Sequence, residues 1–232
     1  MANAKLAVMP SVRSRGVIMK KVRSLIETAR VMMDRDLVKL LREARKDIKE
    51  GKTVPLSSLI KGMGEIKQID PTSLSKYIIN RVHEMGHSVS HLKLQKLLYY
   101  CAAWHMVYFD GKQLISEDFE AWMHGPVVRE VWNYYKDESV LYDDIQPVNL
   151  GFDIRDILND EQVEVIDDAL EEYGKRSAYY LECLTHDEKP WREARRGYVS
   201  SDRCEETISK EIMRKFYGEM LYGETWEKET TQ

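Results

Sequence analysis

Residues 92–136 constrain the fold of this chain more than any other segment, because they combine two helical patterns with a turn and a short extended piece. Apolar side chains dominate residues 91–109, which Ser90 can cap and which the Asp110-Gly111 pair can end. The pattern predicts a helix that ends in a tight turn. No metal-ligand set, nucleotide-binding loop or nucleophile-plus-base motif stands out in the segment, so it indicates a module that holds a partner.

An extended segment follows this helix. Side chains alternate across residues 119–122, within the short segment 113–123, and this alternation predicts a small β-ribbon. The Gly125-Pro126 pair is expected to break the ribbon, and residues 127–135 return to helical spacing.

Helical spacing recurs through the rest of the chain, with Ser73 and either Asn159 or Asp160 as expected caps. Further helices are predicted at 73–85, 159–173, 177–184, 191–195 and 208–220, while residues 137–158 follow no regular pattern. We therefore expect a mainly α fold, a compact helical domain with a small β-ribbon, preceded by an N-terminal helical arm.

Charge is distributed unevenly along the chain, with a basic N-terminal region at residues 1–50 and an acidic remainder. Residues 1–50 hold 13 Lys or Arg against 6 Asp or Glu, although the whole chain has a net charge of −4. Residues 1–15 show no periodicity and are predicted to be a flexible tail, whereas residues 16–68 are predicted to form a basic amphipathic helical region. The domain proper is expected at residues 70–232. The basic surface is either a contact for an acidic partner or a solvated helix face.

Composition excludes several classes of protein. The chain has no run of eighteen apolar residues and no signal-peptide pattern, so no membrane span is expected. Cys101, Cys183 and Cys204 form no CxxC pair, which favours free thiols and a cytoplasmic location.

Histidines are the main candidates for chemistry. His83, His87 and His91 are spaced by four, but Gly86 interrupts the helix that would align them for zinc. His124 is either a general base or, as the residues favour, a side chain that binds a backbone carbonyl and holds the turn. We therefore expect no enzyme activity, no catalytic residue, no cofactor and no metal.

Aromatic side chains are abundant and have two interpretations. Tryptophan and tyrosine at helical spacing are usually core residues, but the same residue types dominate interface hot spots. The basic N-terminal helices can also contact phosphates, so DNA binding by an autoregulator is kept as an alternative.

Several pieces of the sequence, taken in order, resemble the Panacea-domain family, which includes GepA-like phage-associated proteins. These pieces are YII at 77–79, LKLQKLLYY at 92–100 followed by Ala103-Trp104, FEAW at 119–122, HGPVV at 124–128, LTH at 184–186 and Pro190-Trp191. The likeness covers residues 72–218. The positions that match family motifs either build the fold or contact a partner, and the resemblance leaves both roles open. Those positions are Lys93, Gln95, Trp122, His124, Gly125, Pro126 and Trp191.

The resemblance implies an antitoxin that binds the toxin encoded beside it. Partner toxins in such a family are diverse and include alarmone-synthetase-like enzymes that arrest translation. One branch of the family is an adaptor that delivers its toxin to a AAA+ protease, and this is the alternative mechanism. The resemblance implies no catalytic residues, and it leaves homo-oligomer formation open.

The N-terminal region lies outside the shared domain. Residues 44–56 resemble the toxin-wrapping tails of Phd- and RelB-like antitoxins, which lay an apolar stripe into a groove of the toxin. We therefore expect this arm to supply partner specificity, although a helical hairpin packed on its own domain is the alternative. The candidate partner-binding residues are Leu37, Leu40, Leu41, Ile48, Leu56, Trp122, His124 and Trp191.

Overall fold

The structure is a computed structural model that describes residues 65–137 and 141–222. The predicted tail at residues 1–15, nearly all of the predicted arm at 16–68, and five candidate residues lie outside the described residues. Those five are Leu37, Leu40, Leu41, Ile48 and Leu56.

The described residues form a mainly helical domain with one small antiparallel sheet, as the sequence predicts. The helices are α1 (Pro71–Glu84), α2 (His91–Tyr108), α3 (Arg129–Tyr135), α4 (Asp160–Tyr173), α5 (Ala178–Asp187), α6 (Lys189–Ala194) and α7 (Lys210–Tyr222). The strands are β1 (Glu120–Trp122) and β2 (Gly125–Val127), and a single 3₁₀ turn occupies Ile154–Asp156.

Helix α2 is the centre of the fold. Every residue from His91 to Val107 is buried, and helices α1, α4, α5 and α7 all pack against it. A helix that is apolar around its whole circumference has no face for water, so the other elements must enclose it. Because the enclosure is complete, the polar side chains of this helix are also inside the domain and need internal partners.

Helix boundaries follow the capping residues. Ser90 and Asn159 cap α2 and α4 as predicted, since their side chains accept hydrogen bonds from the backbone amides of Lys93 and Gln162. The predicted Ser73 cap of α1 is wrong. Asp70 is the cap, with Pro71 in the first turn, because a carboxylate followed by proline provides both the acceptor and the helical φ angle.

The β-ribbon differs from the prediction in its second strand. Gly125 and Pro126 do not break the ribbon but belong to β2, where Ala121 pairs with Pro126 and Trp122 pairs with Gly125. Met123 and His124 form the two-residue turn between the strands, and α3 begins only at Arg129. The β1–β2 hairpin also contacts a later segment, because the amide of Ala121 donates to the carbonyl of Glu206.

Histidine 105 shows how the core satisfies a buried polar side chain. Its Nδ1 donates to the carbonyl of Lys112 at 2.9 Å, and its Nε2 lies 2.8 Å from the Gln162 amide nitrogen. Burial lowers the pKa of His105 to about 4, so the ring is neutral and Nε2 accepts from Gln162. His105 therefore connects α2 to the turn after it and to Gln162 inside the core.

Candidate functional site

The sequence pieces that carry the family resemblance, except the one at 77–79, contribute residues to the β1–β2 hairpin or its surroundings. Lys96 in α2 donates from Nζ to the carbonyl of Pro126 at 3.0 Å, and Trp191 in α6 donates from Nε1 to the carbonyl of Trp122 at 3.0 Å. The Gln95 amide oxygen accepts from the backbone amide of Val128 at 2.9 Å. We call the following residues the motif cluster: Gln95, Lys96, Trp122, His124, Gly125, Pro126, Glu182, Thr185, His186 and Trp191.

Glycine 125 is required at its position for two reasons. Its φ angle is +98°, which a side chain disfavours. A Cβ atom there would lie 2.6 Å from Cε of Lys96 and 2.8 Å from Oγ1 of Thr185. The absence of a side chain therefore lets the side chains of Lys96 in α2 and Thr185 in α5 approach the backbone of β2 closely.

Lysine 96 is completely buried. Burial lowers its pKa to about 7, and the charge of Glu182 opposes that change. The sequence shows a lysine within an apolar run. Only the structure, in which α2 is enclosed by other helices, shows that this lysine is inside the domain. It connects α2 to the hairpin.

Histidine 124 occupies the turn of the hairpin and has a carboxylate partner. Its Nδ1 lies 2.7 Å from Oε1 of Glu182 in α5. The sequence predicts a backbone carbonyl as the partner instead. The side chain of His124 is 39% exposed and that of Glu182 is 13% exposed, so the pair lies at the protein surface with the imidazole outermost.

Histidine 186 lies one turn beyond Glu182 in α5 and stacks on Trp191, with 4.0 Å between ring centroids. Burial lowers the pKa of His186. Glu182 opposes this effect, while Lys96, His124 and Arg195 add to it. The motif cluster therefore contains two histidines, one carboxylate and one buried lysine around a single hairpin.

The predicted site residues fall into three groups. Trp122 and His124 are partly exposed in the hairpin, whereas Trp191 is only 8% exposed and offers a partner little surface. The structure brings these three residues together. The five apolar candidates between Leu37 and Leu56 lie outside the described residues, so their role stays a prediction.

A buried carboxyl group lies at the junction of α5 and α6, close in sequence to the motif cluster. Glu188 accepts hydrogen bonds from the hydroxyl groups of Tyr217 at 2.6 Å and Tyr100 at 3.3 Å. Burial raises the pKa of Glu188 to about 8, while the two hydroxyl donors lower it. The Tyr100 ring stacks on Tyr173 with 3.9 Å between centroids. Sequence reasoning missed this group, because no local motif marks a glutamate as buried.

His83 and His91, two of the three histidines spaced by four, have different partners. Nε2 of His83 lies 2.9 Å from the carbonyl of Ile145, and His91 stacks on Trp132 with 4.4 Å between ring centroids. Within residues 65–137 and 141–222, no three His, Cys, Asp or Glu side chains are grouped to hold a metal ion. In the same residues, no helix is long and apolar enough to cross a membrane.

Comparison with known families matches part of the chain. Residues 94–192 match the family described as "Antitoxin SocA-like, Panacea domain". Comparison with curated proteins gives no match, and comparison with solved structures gives none either. The matched residues contain the whole motif cluster, from Gln95 in α2 to Trp191 in α6. The chain therefore contains, at residues 94–192, a region that matches the Panacea domain of SocA-like antitoxins.

Proposed function

We propose that this protein neutralises a cognate toxin by binding it directly and does not act as an enzyme. The observation that carries the proposal is the convergence of the family motifs on one hairpin, inside a domain whose family is described as antitoxin. The resemblance further implies that the toxin is encoded by a neighbouring gene and inhibits translation, with alarmone-synthetase-like enzymes as one class.

The internal contacts of the motif cluster support binding. Gln95 and Lys96 use their polar atoms on the backbone of the hairpin strand, and Gly125 allows that close approach. The hairpin is thereby fixed before any partner arrives, with Met123 and His124 at its turn. A preorganised surface loses little conformational entropy on association, so more of the contact energy becomes affinity. Neutralisation then follows by covering the active site or the substrate surface of the toxin.

Co-expression with the protein encoded by the adjacent gene tests this function. We expect restored growth and an intact one-to-one complex in an affinity pull-down from cells. Restored growth with loss of the neighbour protein, dependent on a AAA+ protease, would assign the adaptor mechanism instead. Failure of both binding and rescue would contradict the proposal.

Catalysis is the second candidate, because the structure supplies the carboxylate that the sequence lacks beside His124. An imidazole whose Nδ1 faces a carboxylate is a standard arrangement for a general base. His124→Ala separates the two interpretations. If His124 mainly holds the turn, the variant leaves the half-buried Glu182 without its partner and the free energy of unfolding falls by about 1–2 kcal/mol.

Thermal unfolding and the growth assay are measured together for this variant, with His87→Ala in the loop after α1 as the matched control. A growth defect in His124→Ala with an unchanged melting temperature would support catalysis. A lower melting temperature accompanied by growth rescue in proportion to folded protein would support the structural role.

A further inference from the structure

Lysine 96 is held inside the domain by a neutral acceptor. Its side chain is fully buried, and its Nζ donates to the backbone carbonyl of Pro126 at 3.0 Å. Burial lowers the pKa of this amine and Glu182 opposes the change, but the Glu182 carboxylate itself pairs with His124, with 2.7 Å between Oε1 and Nδ1. A buried ammonium group is strongly disfavoured without an opposite charge in hydrogen-bonding contact, so the enclosed amine favours its neutral form.

Strand β2 covers the amine of Lys96. A Cβ atom built on Gly125 would lie 2.6 Å from Cε of Lys96 and 2.8 Å from its Nζ, so the strand backbone packs directly against the end of the lysine. Gln95, the preceding residue of α2, holds the end of the same strand, because its Oε1 accepts from the amide of Val128 at 2.9 Å. Separation of β2 from α2 would therefore break both contacts and expose the amine to water.

A closed and an opened state of the hairpin would bind different numbers of protons. In the closed state burial lowers the pKa of Lys96 to about 7, whereas the ordinary pKa of a lysine is 10.5. Between these two pH values the closed state holds a neutral amine and the opened state holds an ammonium ion. Opening therefore takes up one proton, and its equilibrium constant rises as the pH falls toward 7.

Histidine 186 in α5 acts in the same direction at lower pH. Burial lowers its pKa from the usual 6.5, and Glu182 opposes this change. Lys96, His124 and Arg195 lower the pKa of His186 further. The stabilisation that comes from the neutral imidazole is complete above pH 6.5 and is lost as the pH falls through the pKa of the folded state.

Other charged groups of these elements are directed to other partners. Glu120 in the hairpin pairs with Arg129 in α3, with 2.7 Å between Oε1 and Nε. Burial brings the pKa of both Lys93 and Glu188 to about 8, so these two groups titrate in the same range as Lys96. Nζ of Lys93 donates to the carbonyl of Ser88 at 2.7 Å, and Glu188 accepts from two tyrosine hydroxyl groups. Their titration therefore acts on other contacts than the one between Lys96 and the hairpin.

We propose that the contact between strand β2 and Lys96 is a pH-dependent latch, in which the β1–β2 hairpin stays on α2 while the amine is neutral and detaches more often when the amine takes up a proton. The inference concerns the free chain and does not depend on the proposed function. Because Met123 and His124 form the turn of this hairpin, detachment also removes the preorganisation on which the proposed binding relies.

Amide hydrogen exchange in the full-length chain tests the latch. The amide of Val128 reports the contact of the hairpin with α2, and the amide of Leu98, in the middle of α2, reports more extensive unfolding. We expect a lower protection factor at Val128 than at Leu98, because the hairpin opens while α2 stays folded. The protection factor of Val128 should fall by about tenfold per pH unit as the pH falls from about 9 to about 7. Equal protection of the two amides would overturn the inference.

Lys96→Met removes the titrating amine and keeps an unbranched side chain in its place. In this variant the protection factor of Val128 should change by less than about twofold over the same pH range. Lys93→Met is the matched control, because Lys93 is the other buried lysine of α2 and its amine contacts Ser88 instead of the hairpin. The control should keep the pH dependence of the wild type. An unchanged dependence in Lys96→Met, or its loss in both variants, would contradict the latch.

A titration of the wild-type chain needs no variant to fold. The ¹³Cε chemical shift of Lys96, followed by nuclear magnetic resonance, should titrate near pH 7, whereas that of the exposed Lys112 should titrate near 10.5. Titration of Lys96 near 10.5 would overturn the inference, since the closed state would then hold a charged amine. None of these measurements uses a partner, so their outcome is separate from that of the growth and pull-down assays.

Discussion

At the scale of single residues, Gly125 tests how tightly the hairpin is held. Gly125→Ala places a Cβ against Lys96 and Thr185 and forces a side chain onto a φ of +98°, so we expect a loss of about 3 kcal/mol in unfolding free energy. Urea denaturation measures the change.

Gly197→Ala is the matched control for this substitution. Its φ is +93°, and no atom lies within 4 Å of the added Cβ, so only the backbone strain of about 1 kcal/mol remains. If Gly125→Ala and Gly197→Ala lost the same unfolding free energy, the close approach of Lys96 to Gly125 would not contribute to stability.

Glutamate 188 gives the domain a dependence on pH. Its folded-state pKa of about 8 lies above the usual 4.5, so folding favours the protonated carboxyl. The stabilisation that comes from the protonated Glu188 is complete below pH 4.5 and is lost as the pH rises through about 8. The free energy of unfolding falls by up to about 5 kcal/mol over this range. The hydroxyl groups of Tyr100 and Tyr217, which donate to the carboxylate, limit the loss.

Glu188→Gln keeps the shape of the side chain and removes the titration. We expect the stability of this variant to change less than that of wild type between pH 5 and about 8, as measured by urea denaturation at a series of pH values. Substitution of the exposed Glu211 by Gln should leave the wild-type profile unchanged. Parallel profiles for wild type and Glu188→Gln would contradict the assignment.

At the scale of elements, Arg195 fastens the segment after α6 to strand β1. Arg195→Met leaves the carbonyls of Ala121, Val199 and Asp202 without their donor, so we expect a loss of about 1–3 kcal/mol in unfolding free energy. Amide hydrogen exchange should become faster in residues 196–207 before it changes in α2.

Arg196→Met is the control at the neighbouring position. Arg196 is exposed and pairs with Glu193 on the surface, so its loss should change stability by less than about 0.5 kcal/mol. If amide hydrogen exchange became faster to the same extent throughout the Arg195→Met variant, residues 196–207 would not unfold as a separate unit.

At the scale of the whole molecule, the sequence predicts that the basic N-terminal region supplies partner specificity and that the Panacea domain is the scaffold. Residues 67–222 include the buried helix α2 and the contact of Lys67 with Gln162, so a chain that lacks residues 1–66 should retain its core. We expect it to fold with a melting temperature near that of wild type but to lose rescue of its toxin. If the truncated chain still rescues growth, the arm does not supply partner specificity.

The sequence by itself determined most of the elements in the described residues and the resemblance to the Panacea domain. Ser90 and Asn159 mark helix ends through local hydrogen bonds, which depend on neighbours in sequence. The motif pieces likewise identify the domain before any fold is known. Where a prediction failed, at Ser73 and at Gly125-Pro126, an adjacent stronger cap or a strand partner decided the outcome.

Only the tertiary structure decided how the motif residues are used. Lys96 and Glu188 have ordinary sequence surroundings, and they are buried because distant helices close around α2. The pairing of His124 with Glu182 joins residues 58 positions apart, so no local pattern announces it. Burial and long-range contact depend on the packing of whole elements, and for that reason the charge, the pKa and the exposure of these residues follow from the fold.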